Sequence, residues 1–280
     1  MKRVIILLFA AMGSVGVSAQ VVHEFSINGG VGLSALNYKL SAGKKNLGFG
    51  GDCGLGYSYF FKEQWGFGTG VDFGFYNAKA KLDNVQVITS GLQDSENDRF
   101  DMYSTLKNYT EKQKAIFLNI PLMLQFQTKG IQKFYANAGV KIGFPLSSKF
   151  RVSDAEITNK GYYPDYDNWL EMPAFACFGT FSDYNSTGKL KLGLTAMLTL
   201  EVGGKWKLSE KVTLYTGIYF DYGLNNSLKD KDQPFVNYSN SHPAEFTTNS
   251  ALPSLTDKIN PMAVGLKLRL ALVKITENGE

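Results

Sequence analysis

Lys114–Gln127 runs KAIFLNIPLMLQFQ. Ile116, Leu118, Ile120, Leu122, Leu124 and Phe126 occupy every second position, with Phe117, Asn119, Pro121, Met123, Gln125 and Gln127 between them. A helix would scatter the first set around its circumference. A strand turns successive side chains to opposite faces and gathers that set on one. The segment therefore predicts a strand with one apolar and one mixed face.

The same period of two recurs on both sides of it. Eight segments carry it: Glu24–Leu36, Leu47–Phe61, Trp65–Ala78, Lys114–Gln127, Gln132–Leu146, Leu190–Gly204, Val212–Leu224 and Pro261–Lys274. In the last, Met262, Val264, Leu266, Leu268, Leu270 and Leu272 share a face opposite Gly265, Lys267 and Arg269. In the sixth, Leu190, Leu192, Leu194, Ala196, Leu198, Leu200 and Val202 oppose Gly193, Thr195, Thr199, Glu201 and Gly203. The connections alternate in length. Lys62–Gln64, Thr128–Ile131 and Lys205–Lys211 are short, whereas Asn37–Asn46, Lys79–Gln113, Ser147–Lys189 and Asn225–Asn260 are long.

Volume decides which face is inside. The apolar faces sum to roughly forty large side chains, but a closed eight-stranded barrel has an interior only wide enough to be filled by side chains. A comparable barrel core takes about twelve. The apolar faces must point outward, and lipid is the solvent that favours this. The expected fold is all-β: an antiparallel up-and-down transmembrane β-barrel of eight strands. Its short turns face the periplasm, its long loops face outside, and both termini are periplasmic.

The other face then lines the lumen. Asp52, Asp72, Lys141, Glu201, Asp221, Lys267 and Arg269 fall on it in mid-strand. Ionised groups in a narrow interior need partners or water, so the near-balance of sign predicts a structural charge network. Strands one to three present Gly30, Gly32, Gly48, Gly50, Gly54, Gly56, Gly66, Gly68, Gly70 and Gly74 on this face. The opposite wall carries Met123, Gln125, Lys141, Met197, Tyr215, Tyr219, Lys267 and Arg269. Long side chains reaching across to a bare wall is one reading, and a water-filled cleft is the other. Aromatic girdles are expected at both interfaces. Tyr59, Phe61, Trp65, Phe67, Phe126, Phe134 and Trp206 flank the short turns, and Phe49, Phe73, Phe75, Phe144, Phe220 and Tyr222 lie toward the long loops.

The N-terminus has the form of a secretory signal peptide over residues 1–19. Lys2 and Arg3 precede the apolar Val4–Met12 run, and Val17-Ser18-Ala19 offers a cleavage site. The mature domain is expected to span residues 20–280 and to start at Gln20. The formal charge of +4 falls to +2 once Lys2 and Arg3 are removed, which gives no nucleic-acid surface. Export makes a bond between Cys53 and Cys177 possible. Two small buried or lipid-facing side chains is the alternative.

The leader, the alternating strands, Asn119-Ile120-Pro121-Leu122-Met123-Leu124 after a long loop, and the Leu214–Leu224 strand LYTGIYFDYGL together resemble the outer-membrane β-barrel proteins of Bacteroidota-type bacteria. They are similar to the OmpA-type transmembrane domain and to the PorT-like group. The resemblance covers the whole mature chain. It implies an eight-stranded barrel in the outer membrane of a Gram-negative cell and, for most members, no defined activity. Two departures stand out. OmpA proper continues into a peptidoglycan-binding domain, and proteobacterial barrels usually end on an aromatic residue, whereas this sequence ends Ile275–Glu280.

No residue set points to an enzyme or a cofactor. The two histidines, His23 and His242, are expected at opposite ends of the barrel. Only a single-histidine arrangement of His242 with Ser239 or Ser241 is conceivable, and it would suit a lipid-modifying enzyme. No Cys/His spacing suits a metal, and Asp94, Glu96 and Asp98 read as a solvated acidic loop, with weak Ca²⁺ binding as the alternative. The long loop GYYPDYDNWL, residues 161–170, continues into the apolar Pro173–Phe181. Its Tyr162, Tyr163, Tyr166 and Trp169 form a candidate recognition surface for a glycan or an envelope protein. Packing of the loops against one another is the competing reading. The leading expectation is a non-enzymatic barrel with a side-chain-filled lumen, in contact with membrane lipid and contributing to envelope integrity, surface interaction or assembly. A narrow or gated transport pore is the alternative.

Overall fold

The computed structural model describes residues 21–130, 132–171, 176–231 and 233–276. The expected leader, residues 173–175 of the Pro173–Phe181 stretch and the last four residues lie outside them. In chain order the strands are β1 (Val21–Tyr38), β2 (Lys44–Leu47), β3 (Phe49–Phe60), β4 (Trp65–Leu82), β5 (Val85–Gln93), β6 (Arg99–Lys107), β7 (Tyr109–Gln127) and β8 (Lys133–Tyr163). They continue as β9 (Asn168–Leu170), β10 (Gly179–Lys189), β11 (Thr195–Lys207), β12 (Val212–Gly223), β13 (Val236–Tyr238), β14 (Phe246–Thr248) and β15 (Ile259–Thr276). A one-turn helix, α1 (Leu252–Leu255), precedes β15.

Eight of these strands, β1, β3, β4, β7, β8, β11, β12 and β15, form a ring in which each pairs antiparallel with its neighbours. β15 returns to β1 along their whole length, from Val21↔Thr276 to Tyr38↔Ile259. The apolar faces point outward. Leu122, Leu200, Leu266 and Leu268 are exposed, as are Trp65, Phe73, Phe75, Phe134, Phe144, Trp206, Phe220 and Tyr222. From Ile116 to Phe126, a rise of about 3.3 Å per residue and a tilt of about 40° give an apolar band about 25 Å tall, the height of the lipid-facing band in such barrels.

The chain departs from the sequence reading above that band. β7 begins at Tyr109 and β4 runs on to Leu82, while β8 extends for 31 residues, far past Leu146. The expected loops Lys79–Gln113 and Ser147–Lys189 are largely sheet. β6 pairs with β8 beyond the end of β7, β5 pairs with β6, and β10 lies against the other edge of β8. These segments enclose an apolar core above the band, made of Phe100, Met102, Leu106, Tyr109, Ile157 and Phe178 and joined by Phe235 and Leu255 from the last long connection.

The sixth segment also needs correcting. β11 starts at Thr195, and Leu190 and Leu192 do not face outward. They are buried against Tyr76 and Met197. Above the band the outer solvent is water, so apolar side chains gain by turning inward. Cys53 faces outward from β3 and Cys177 is buried in the upper core, as two separate free thiols.

Candidate functional site

Alternation along the ring strands places all seven expected lumen charges inside. They fall into two tiers. In the upper tier, Lys141 Nζ on β8 lies 2.7 Å from Asp221 Oδ2 on β12 and 4.0 Å from Asp72 Oδ2 on β4. Lys267 Nζ on β15 lies 3.1 Å from Asp52 Oδ1 on β3 and 4.0 Å from the same Asp72 oxygen. All five side chains are buried. Asp72 thus sits between two ammonium groups, and the cluster ties five strands together across the lumen.

The lower tier is nearer the short turns. Arg269 Nη2 donates to both Glu201 oxygens at 2.7 Å, and Tyr135 OH donates to Glu201 Oε1 at 2.8 Å. Lys205 Nζ donates to Glu24 Oε1 at 2.7 Å and to Gln127 Oε1 at 2.8 Å, while Tyr215 OH donates to Glu24 Oε2 at 2.5 Å. The Arg269 guanidinium also lies over the Tyr215 ring, 5.1 Å from its centroid. Glu24 and Lys205 were missed in the sequence reading. Both are in phase with inward residues of their own strands, Glu24 with Ser26 and Asn28, and Lys205 with Glu201.

The glycine wall accommodates these long side chains. A Cβ on Gly30 would come within 2.9 Å of both Asp52 Oδ2 and Tyr219 Cε1, and one on Gly68 within 2.3 Å of Gln125 Nε2. Between the tiers there remains a cavity of about 40 Å³, lined by Asp72, Lys141, Glu201, Lys267 and Arg269 among others. That is room for a few ordered waters rather than for a solute. Above the upper tier lies an apolar layer. Tyr76 meets Phe117 edge-on at 5.6 Å, and Met197, Leu36 and Leu190 complete the layer.

One further carboxylate lies above the band. Glu111 is buried at the inner face of β7 and is held by four neutral donors. These are Tyr109 OH (3.2 Å), Gln113 Nε2 (3.0 Å), Ser250 Oγ (2.5 Å) and the Ala251 amide (2.9 Å). The last two belong to the final long connection, so Glu111 fastens that connection to the barrel wall. Burial pushes its carboxyl above the ordinary value, and the hydrogen bonds pull it only part of the way back. Because the folded value is raised, the site's contribution to stability is complete below the ordinary carboxylate value. It is lost as pH rises through the raised one. Proteolysis of residues 225–258 is therefore expected to be slowest below the ordinary carboxylate range and to quicken as pH rises above it. Glu111→Gln should flatten that dependence, and an unchanged pH profile in this variant would refute the assignment.

The four expected recognition residues do not share one surface. Tyr163, expected at the surface, is instead 3% exposed and stacks on Phe100 at 5.4 Å, with its hydroxyl on Asp94 Oδ2 at 3.0 Å. Adjacent strand residues face opposite ways, so Tyr162 points out where Tyr163 points in. Tyr162 and Trp169 touch at 5.0 Å, and Tyr103 joins them at 4.8 Å from Trp169. Tyr166 stands apart at the tip, its hydroxyl on Asp98. Asp94 is likewise not solvated. It is buried, and its Oδ1 accepts from the amides of Glu96 and Asp98. His242 sits on an exposed turn with Ser241 Oγ 3.3 Å from Nδ1 and Ser239 Oγ 2.8 Å from Ser241 Oγ. His23 lies at the other end of the barrel, 2.8 Å from Tyr57 OH.

Residues 18–229 match a family model described as an outer membrane protein beta-barrel domain. Among solved structures, the outer membrane protein OprG from Pseudomonas aeruginosa aligns at 13% identity over 93% of this chain and 97% of that one, with a TM-score of 0.39. A major outer membrane protein from Thermus thermophilus aligns at 15% identity over 90% and 99%, with a TM-score of 0.37. Neisserial surface protein A aligns at 10% identity over 89% and 95%, with a TM-score of 0.31. These similarities are too distant to bear on function. No curated protein matches.

Proposed function

The chain belongs to the outer membrane protein beta-barrel domain family, and from that premise we propose that it is a non-enzymatic barrel with a closed lumen. Its contribution would be to envelope integrity or to interaction and assembly at the surface. The observation that carries this is the lumen itself. Two tiers of buried ion pairs and an apolar layer occupy its cross-section, and the cavity between the tiers is about 40 Å³. A pore would need these groups to part, and each separation would leave a charge unpaired in a poorly hydrated interior.

Planar-bilayer recording tests the proposal. The purified barrel is expected to give no steady, discrete current steps, and regular unitary steps would establish the transport alternative instead. For the surface role, the outer-facing Tyr103, Tyr162 and Trp169 are the candidate contact for a glycan or a protein. We retain the narrower likeness to Bacteroidota-type and PorT-like barrels, and export through cleavage before Gln20, as parts of the same proposal.

A further inference from the structure

Immediately above the apolar band, one side of the barrel carries rows of cations. Lys114 on β7 stands directly opposite Lys149 on β8, which in turn stands opposite Lys189 on β10. In the next row Lys79 on β4 faces Lys112 on β7, and Lys112 faces Arg151 on β8. A third row pairs Lys44 with Lys81. The other members of these rows are uncharged: Asn77, Asn46, Thr187, Thr110 and Ser153. No carboxylate interrupts them. Like charges directly opposite in a sheet destabilise it. Several lysines elsewhere on the upper surface do have acids, as in Lys107–Glu156, Lys160–Glu171 and Lys191–Asp230.

A groove of about 750 Å³ runs through this cluster, lined by Lys112, Lys114, Lys149, Arg151 and Lys189 together with Ile116. Ile116 is the uppermost residue of the apolar band on β7, and Phe75 lies beside it on β4. The same strands therefore present cations and, one step below, a lipid-facing surface. A soluble anion would satisfy the first feature but not the second. A lipid with several phosphates on its headgroup satisfies both.

We infer that this wall binds a multiply phosphorylated glycolipid of the outer leaflet, with the phosphates on Lys112, Lys114, Lys149, Arg151 and Lys189 and the acyl chains against Ile116 and Phe75. The inference rests on the reading that the long connections face outside. The lipid offsets the repulsion between the rows, and the rows hold the lipid on one side of the barrel only.

The test is retention of lipid by the full-length barrel in detergent, read by native mass spectrometry. The probes are bisphosphoryl lipid A, the same lipid A without phosphates, and inorganic phosphate. Wild-type protein should retain the bisphosphoryl lipid in preference to the dephosphorylated one by roughly tenfold or more. Replacing Lys112, Lys149, Arg151 and Lys189 together by Gln should abolish the preference. It should leave thermal stability in lipid-free detergent unchanged or raised, because like-charge pairs are removed. Equal retention of the two lipids by wild-type protein overturns the inference whether or not the variant folds. So does thermal stabilisation by inorganic phosphate matching that by lipid A, since the site would then be one for free anions. Orientation is read separately, by labelling Ser182→Cys on intact cells with an impermeant maleimide. Labelling without lipid preference sinks the lipid site alone, whereas failure to label sinks the orientation beneath it.

Discussion

Lys141→Met lowers the stability of the folded barrel by about 3–5 kcal/mol, the range seen when one partner of a buried ion pair is removed. Lys141 lies between Asp221 and Asp72, and all three side chains are at most 4% exposed. Without its ammonium group, Asp221 keeps no cation within ion-pair distance among the described residues, and Asp72 keeps only Lys267 at 4.0 Å. Denaturant unfolding in lipid vesicles measures the loss. A second substitution identifies its origin. Adding Asp221→Leu to the variant should recover much of the stability, because replacing a whole buried pair by apolar side chains is often neutral. If the double variant were weaker than the single one, the cost would come from lost packing and not from stranded charge.

Phe100→Ala is expected to produce a loss of similar size, about 3–5 kcal/mol for a fully buried aromatic, but at the other end of the molecule. Phe100 is wholly buried. It stacks on Tyr163 at 5.4 Å and meets Phe178 and Tyr238 edge-on at 5.5 and 5.6 Å. These four rings come from three separate connections, so their cavity falls at the junction of the upper core. Limited proteolysis should show early cleavage within residues 83–108 and 164–189 while the lipid-embedded strands stay protected. Simultaneous loss of both regions would mean that barrel and upper core unfold as one unit.

The ring strands were legible from one physical rule, since lipid outside and polar groups inside enforce strict alternation. That rule also marks where reading by it stops. On β7 the outward positions run from Leu124 and Leu122 up to Ile116, then become Lys114 and Lys112. The inward ones change in the opposite sense, from Gln125 and Asn119 to Phe117 and Ala115. On β7 the period of two continues unbroken, but the outward face turns from apolar to cationic at the membrane boundary because the outer solvent changes from lipid to water, and on β8 a bulge at Leu146 shifts the period as well. Segments sought by an outward apolar face therefore end at Lys114, Ala78 and Leu146, and the sheet beyond them reads as loop. Glu111 was lost for this reason, and so was the division of Tyr162 from Tyr163. Following parity alone, without regard to which face is apolar, would have reached Glu111 from Gln113 and Lys205 from Glu201. The pairing of β6 and β10 with the far half of β8 had no such signal. It depends on contacts between residues dozens of positions apart.

β8 runs as one strand from the turn after β7 to Tyr163, with register shifts against β7 near Leu146 and against β10 near Asp154, and is bonded in succession to β7, β11, β10, β6 and β9. A pull applied at its tip, along its axis, therefore loads the ladders on both edges in shear. Bonds loaded in shear must yield together, whereas those at a peeled edge yield one at a time. Whatever is held at the tip is tethered to the bilayer by a member that resists tension along its length and gives way most readily when pried sideways.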